Sequence, residues 1–374
     1  MMSQPPPARI GDMIANVDTP ALLVDLGAFE RNLDRMQQVA DTAGVRLRPH
    51  AKTHKSVDVA NAQVRRGAIG QCCQKVSEAE VLVHGGIADV LVSNQIVGAV
   101  KIDRLVRLAR RATIGVCVDD PGNIADISAA ATQAQVEIQV YLEIDVGMGR
   151  CGVTADAGAV ALCRQIVDAP GLGFAGIQAY HGKAQHIRGA GERAGAIRHA
   201  AGAVRTMLDL LAAANIDCPT VTGAGTGTAP FEADSGLWTE LQAGSYAFMD
   251  ADYARNLGPD GAPDSRFEHS LFLLATVMST ARPGTAICDV GLKSTSFESG
   301  LPLVADLPGA SYAGPSDEHG TLRIDPGTHV SLGRKFKLIP GHCDPTINLH
   351  DWYVGYRGDV VERIWPVSAR GAFF

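Results

Sequence analysis

The chain has 374 residues, of which 46% are hydrophobic and 20% charged, ordinary values for a globular protein with a large buried core. Its 33 basic and 40 acidic side chains leave a formal charge of −7, and no long basic run offers a footprint for nucleic acid or an anionic membrane. No apolar stretch approaches the roughly 18 residues of a membrane span, the proline-rich segment 1–10 has no signal-like apolar core, and eight cysteines without a CxxC pair read as reduced thiols in a cytoplasmic protein.

In chain order, residues 21–26 (ALLVDL) read as a strand and 28–44 as an amphipathic helix closed by Gly44. Strand-like runs follow at 45–52, 69–74, 88–94, 113–120, 136–145, 172–182, 218–228 and 240–250. Helical patterns separate most of them, clearest at 56–67, 76–86, 99–111 and 203–214. Eight β-then-α units over roughly 200 residues is the count of a (β/α)8 TIM-type barrel. A doubly wound sheet also uses eight strands, but no GxGxxG follows the first of them. Beyond about residue 260 the runs turn β-like and are separated by Gly, Pro and Asp turns, the texture of a mostly β C-terminal domain. The expected division is a barrel over 27–258 and a β domain made of 259–374 with 1–26, whose short strand has no barrel partner.

Function in such a barrel gathers where the strands end. The first barrel strand ends in RPHAKTHK (48–55), and a lysine at that rim is set up for Schiff-base chemistry if desolvation and nearby cations lower its pKa. A solvated basic loop is the alternative. The seventh strand ends in TGAGTGT (222–228), where the backbone of Gly223, Gly225 and Gly227 and the hydroxyls of Thr222 and Thr226 suit a phosphate better than they suit a plain turn. Lysine plus phosphate means pyridoxal 5'-phosphate (PLP). After the fifth strand, DVGMGRCG (145–152) puts Arg150 on a glycine turn at the same rim, to bond the cofactor's phenolate oxygen or, alternatively, to pair with Asp145.

With these strings the chain resembles the fold-type III PLP enzymes, the alanine-racemase-like barrels. RPHAKTHK resembles the branch that holds D-threonine aldolases, eukaryotic D-serine dehydratases, and 3-hydroxyaspartate dehydratases and aldolases. The resemblance spans essentially the whole chain and implies that Lys52, rather than Lys55, forms the imine. It also implies that Gln74, Asn94, Tyr180, Gly244, Ser245 and Tyr246 line the cofactor pocket. An active site between barrel and β domain, closed across a homodimer, is implied as well, with Asp289 and Glu318-His319 as further candidates.

PGHCDP (340–345) is the second informative site. If it is extended, His342 and Asp344 share a face and Cys343 points away. Such an open nitrogen–oxygen pair suits a divalent metal, Mn²⁺ or Mg²⁺, though a surface His–Asp pair is the commoner outcome of this spacing. The resemblance reverses that judgement, because in this branch the ligands are HxC in dehydratases and HxD in aldolases. The resemblance therefore implies a metal-dependent aldolase that cleaves D-3-hydroxy amino acids to glycine and an aldehyde. The strings GQCCQKVSEAE (70–80), LQAGSYAFMDADY (241–253) and GHCDPTINLHDWYVG (341–355) are most similar to the 3-hydroxy-D-aspartate aldolases. The base is expected in QAYHGKAQH (178–186), as His186, acting through metal-bound water by the same resemblance, or His181. The alternatives are D-threonine cleavage, a dehydratase in which Lys52 takes the Cα proton to give a keto acid and ammonia, a non-catalytic PLP-binding protein, or a metal-independent racemase.

Overall fold

The computed structural model describes residues 5–374, so the first four residues of the segment 1–10 lie outside it. A strand β1 (Ala21–Asp25) and a helix α1 (Leu26–Ala43) precede eight parallel strands. These are β2 (Arg46–Leu47), β3 (Gln71–Cys73), β4 (Asp89–Gln95), β5 (Thr113–Val118), β6 (Ile138–Glu143), β7 (Leu172–Ala179), β8 (Val221–Gly223) and β9 (Glu240–Leu241). Between them run α2 (Val57–Val64), α3 (Val76–His84), α4 (Ala99–Leu108), α5 (Pro121–Ala134), α6 (Ala157–Asp168), α7 (Ala190–Ala213) and α8 (Ala229–Asp234). The strands pair in the order β2-β9-β8-β7-β6-β5-β4-β3. Backbone bonds from Ile69 N to Leu47 O (2.9 Å) and Cys72 N to Pro49 O (2.8 Å) close β3 onto β2, completing a (β/α)8 barrel.

The central strands read as unbroken apolar runs because helices cover their outer face and other side chains fill the inside. Val116, Val140, Leu142 and Ile177 are fully buried in one cluster with the helix faces. α1 shows the helical counterpart. Asp25 caps it by accepting from Ala28 N at 3.0 Å, Gly44 ends it in a left-handed conformation, and Phe29, Leu33, Met36 and Ala40 bury one stripe.

The second domain contains β10 (Leu271–Arg282), β11 (Thr285–Cys288), β12 (Leu303–Val304), β13 (Ala310–Pro315), β14 (Gly320–Ile324) and β15 (Lys335–Ile339). A short helix α9 (Cys343–Ile347) and the hairpin β16 (Trp352–Arg357) and β17 (Val360–Pro366) follow. Its sheet runs β13-β14-β11-β10-β1-β16-β17, with β15 also on β10 and β12 on β15. Thus β1 sits inside the second sheet, antiparallel to β10 and parallel to β16, with Leu22, Leu23 and Val24 fully buried. No helix among the described residues is long and apolar enough to cross a membrane.

Three strand-like runs prove much shorter than their sequence patterns. β2, β8 and β9 keep two or three residues each, and the rest of 45–52, 218–228 and 240–250 leaves the ladder as rim loops. Pro49 lacks an N–H to donate, and the glycines beyond Val221 and Leu241 weaken strand pairing. In the other direction, α7 starts thirteen residues before the run 203–214, since glycines blur its apolar period without stopping an alanine-rich helix.

Candidate active site

The loop after β2 carries Lys52, half-buried at the barrel mouth, with Nζ 3.0 Å from Asp344 Oδ2 of the second domain. The expectation of a depressed lysine pKa is wrong for the protein in this state. The Asp344 carboxylate outweighs burial and the repulsion of Arg150 and pushes the Lys52 ammonium above its ordinary value. Lys55 is turned the other way, into an ion pair with Glu78 at 2.8 Å and onto the carbonyls of Ala369 and Ala372. Beside Lys52, burial holds His50 neutral; its Nε2 lies 2.9 Å from Gln74 Nε2 and 3.2 Å from Ser93 Oγ.

A cavity of about 420 Å³ opens here. Of the sequence candidates, Lys52, Gln74, Arg150, Tyr180, His186, Gly225, Thr226, Gly244 and Ser245 line it. So do His50, Thr53, Ser93, Gln178, Lys183, Gln242 and Tyr253, which the sequence reading did not single out. A larger surface groove between α4 and α5 gathers no comparable constellation.

The remaining candidates stand behind the wall. Asn94 donates to the Gln74 carbonyl at 3.0 Å. Thr222 is spent on Glu240 and Gln242 in the polar barrel interior, at 2.8 Å each, because β8 turns its side chain inward. Tyr246 is buried with its hydroxyl accepting from Gln63 Nε2 at 3.1 Å, while its own N–H donates to Thr226 Oγ1. Gly223 lies in β8, and the Gly227 N–H is taken by Gln185 Oε1 at 3.0 Å. Asp289 and Glu318 are likewise engaged elsewhere, with Thr19 and Thr276 and with Lys293.

The fit to a phosphate rests on what is left over. Gly225, Thr226, Gly244 and Ser245 line the cavity and, among the described residues, no protein acceptor pairs with their amides. A Cβ at Gly225 would sit 2.5 Å from Gln185 Oε1, so only glycine allows this approach. Arg193 braces the loop from behind, donating to the carbonyls of Gly227, Ile187, Arg188 and Leu257, which satisfies its buried charge. Arg150 lies with Cζ 6.0 Å from the centre of the Tyr180 ring. It does not pair with Asp145, whose carboxylate accepts from Gly147 and Gly149.

His186, not His181, reaches the cavity. Its Nδ1 is 2.5 Å from Asp252 Oδ2, leaving Nε2 for the interior. Burial opposes ionisation of Asp252, yet hydrogen bonds from His186 and Arg188 hold its carboxyl well below the usual range, and Arg255 adds a third partner. His181 packs its Nε2 under Gly147, where a Cβ would be 2.8 Å away.

His342 and Asp344 converge, though not on an extended strand. His342 is extended, and Asp344 lies in the first turn of α9, a turn that tolerates Pro345. His342 Nε2 is 3.7 Å from Asp344 Oδ1, and His342 Nδ1 is fixed by Glu298 at 2.6 Å, the support that metal-bound imidazoles require. Asp344 Oδ1 and Thr53 Oγ1 are buried without a hydrogen-bond partner among the described residues, which fits a cation at that point. No third His, Cys, Asp or Glu joins them among the described residues, so a metal held there keeps open positions. Cys343 is buried and directed at the Met249 carbonyl, 3.2 Å away. Three consecutive residues tie the two halves of the site: Asp250 Oδ2 accepts from Cys343 N, Ala251 N donates to Pro340 O, and Asp252 N donates to Gly341 O.

Glu232, in α8 behind the phosphate loop, is buried and has one partner, Thr228 Oγ1 at 2.7 Å. Burial raises its carboxyl from 4.5 to about 7. The folded protein thus holds this proton more tightly than the unfolded chain, and stability is lost as pH rises from about 4.5 to 7, by at most about 3 kcal/mol. Glu232→Gln is expected to melt above the wild type at pH 8 and level with it at pH 5, measured by thermal unfolding. An equal offset at both pH values would refute the assignment.

Residues 24–252 match the family model described as alanine racemase, N-terminal domain, and 270–356 the putative serine dehydratase domain. Over 368 residues the chain is 52% identical to a D-threonine aldolase of Arthrobacter sp., covering 98% of this chain and 96% of that one. It is 47% identical over 369 residues to a 3-hydroxy-D-aspartate aldolase of Paracoccus denitrificans, covering 98% and 95%. Among solved structures, a D-threonine aldolase from Filomicrobium marinum superposes with a TM-score of 0.96 at 48% identity, over 99% of this chain and all of that one.

Proposed function

This chain belongs to the alanine-racemase-like family of fold-type III PLP enzymes, among the D-threonine and 3-hydroxy-D-aspartate aldolases, and from that premise we propose that it is a metal-assisted aldolase acting on D-3-hydroxy amino acids, 3-hydroxy-D-aspartate first. Cleavage of that substrate between Cα and Cβ yields glycine and glyoxylate. The observation that carries the reading is Asp344, with one oxygen on Lys52 and the other unsatisfied and aimed toward His342, while Cys343 is committed to Met249. An oxygen–nitrogen pair is available to a metal at the mouth of the lysine cavity; a sulfur–nitrogen pair is not.

Lys52 would hold PLP, which would supply an electron sink for the charge left on Cα. His342 and Asp344 would hold a divalent cation, which would supply a Lewis acid for the β-hydroxyl. The chain does the rest. Gly225, Thr226, Gly244 and Ser245 would anchor the phosphate through their free amides, Arg150, near the Tyr180 ring, would bond the cofactor's phenolate oxygen, and burial keeps His50 neutral beside Lys52. His186 Nε2 takes the hydroxyl proton. Asp252 holds the opposite nitrogen in its protonated form, so the accepting lone pair faces the substrate.

Product analysis tests the reading: the purified holoenzyme with Mn²⁺ or Mg²⁺, given 3-hydroxy-D-aspartate, should release glycine and glyoxylate. Oxaloacetate and ammonia would make it a dehydratase. Asp252→Asn should lower kcat roughly 10²-fold and KM little, because the asparagine amide no longer fixes the imidazole tautomer. Asp252→Glu should recover part of the loss and restore the wild-type pH profile. An unchanged kcat in Asp252→Asn would show that Asp252 serves only Arg188 and Arg255.

A further inference from the structure

A substrate with a second carboxylate needs a cationic partner at its far end. Besides the buried His50, four lysine, arginine or histidine side chains line the cavity, and three are engaged: Lys52 with Asp344, Arg150 with the Tyr180 ring, and His186 with Asp252. Lys183 is the fourth. Among the described residues it makes no ion pair or hydrogen bond, and its Nζ lies over the glycine turn, 3.8 Å from where a Cβ on Gly149 would sit.

Its position follows from local geometry. Residues 182–186 form a 3₁₀ turn, in which side chains three apart eclipse one another. Lys183 and His186 are three apart, so ammonium and imidazole leave the turn on one side. Gln185, bonded to His181 O and Thr228 Oγ1, and Arg193, bonded to the carbonyls of Ile187 and Arg188, hold the turn fixed. In 3-hydroxyaspartate the hydroxyl and the distal carboxylate are both substituents of Cβ. A turn that places a base at the hydroxyl places the eclipsed residue beside the carboxylate. Among the described residues, no carboxylate belongs to the cavity lining, and Asp344 at its mouth is paired with Lys52.

We propose that Lys183 binds the distal carboxylate of a D-3-hydroxy dicarboxylic amino acid and so selects 3-hydroxy-D-aspartate over D-threonine. This rests on the aldolase reading above and names its substrate class. The contact is charge-assisted and partly open to solvent, so it weakens with salt.

The test uses the holoenzyme with its metal. For Lys183→Met, the ratio of kcat/KM on 3-hydroxy-D-aspartate to kcat/KM on D-threonine should fall roughly 10- to 100-fold, and Lys183→Arg should restore most of it. Calorimetric Kd values for D-aspartate, which has both carboxylates but no hydroxyl to cleave, should weaken relative to D-alanine by a similar factor, and less so in high salt. An unchanged ratio in Lys183→Met, whether both substrates slow together or neither does, would overturn the assignment. If the wild type releases glycine from neither substrate, the aldolase reading falls, and the D-aspartate comparison still decides the role of Lys183.

Discussion

Lys52→Ala is expected to reduce turnover by roughly four orders of magnitude or more, the scale on which loss of a covalent catalytic group acts. The protein should also lose the visible absorbance of its lysine-linked cofactor. Activity alone would not separate this from misfolding, and the structure supplies a second readout. The ammonium of Lys52 rests on Asp344, whose side chain is 15% exposed while that of Lys52 is 41% exposed. Losing one partner of a buried pair costs about 3–5 kcal/mol, and solvent screening at this half-open site reduces that to about 1–2 kcal/mol. The cofactor-free variant should therefore melt below the cofactor-free wild type. Because Asp344 is then free of its ammonium, added Mn²⁺ should raise the melting temperature of the variant more than that of the wild type. A variant that keeps activity would remove Lys52 from the mechanism; one indifferent to metal would remove Asp344 from the metal site.

Asp344→Ala is expected to cost about 10³-fold in kcat/KM, since a Lewis acid at the hydroxyl contributes several kcal/mol and each 1.4 kcal/mol is tenfold. Added Mn²⁺ should not restore the loss at any accessible concentration, because His342 alone is a weak anchor. Cofactor absorbance should persist, which separates this variant from Lys52→Ala. Titration of the two proteins with Mn²⁺ under calorimetry reads the difference directly. Retained metal affinity in Asp344→Ala would place the cation elsewhere.

Much of the architecture was legible because it rests on local patterns. The alternation of apolar runs and amphipathic helices marks the eight barrel strands, and Gly44 marks the end of α1. The lysine loop, the glycine turn after β8 and the His342/Asp344 pair were legible because each is compact in sequence. Asp252, Glu298 and Lys183 were not. Asp252 matters only because His186, 66 positions earlier, folds onto it, and Glu298 only because His342, 44 positions later, does so. No period or spacing carries that information. Lys183 looks like any loop lysine until the 3₁₀ turn shows which neighbour it eclipses. The shared face of His342 and Asp344 was argued for an extended PGHCDP, whereas Asp344 and Pro345 fall in the first turn of α9, where no amide bond is lost. Thr222 was assigned to the cofactor from its glycine-rich loop and Tyr246 from the family resemblance; the inward face of β8 turns the first to Glu240, and the hydroxyl of the second accepts from Gln63.

The three-residue tie between Asp250–Ala251–Asp252 and Pro340–Gly341–Cys343 has an evolutionary consequence. It sets the proposed base and the proposed metal ligands to one common register, so a backbone shift there disturbs both at once and its effects are epistatic. Met148 and Lys183 line the cavity and take part in none of those bonds. Variation in substrate range can accumulate at those two positions while the bond-breaking apparatus is inherited intact. A library aimed at new aldehydes belongs there, with Arg150, His186 and 250–252 left alone.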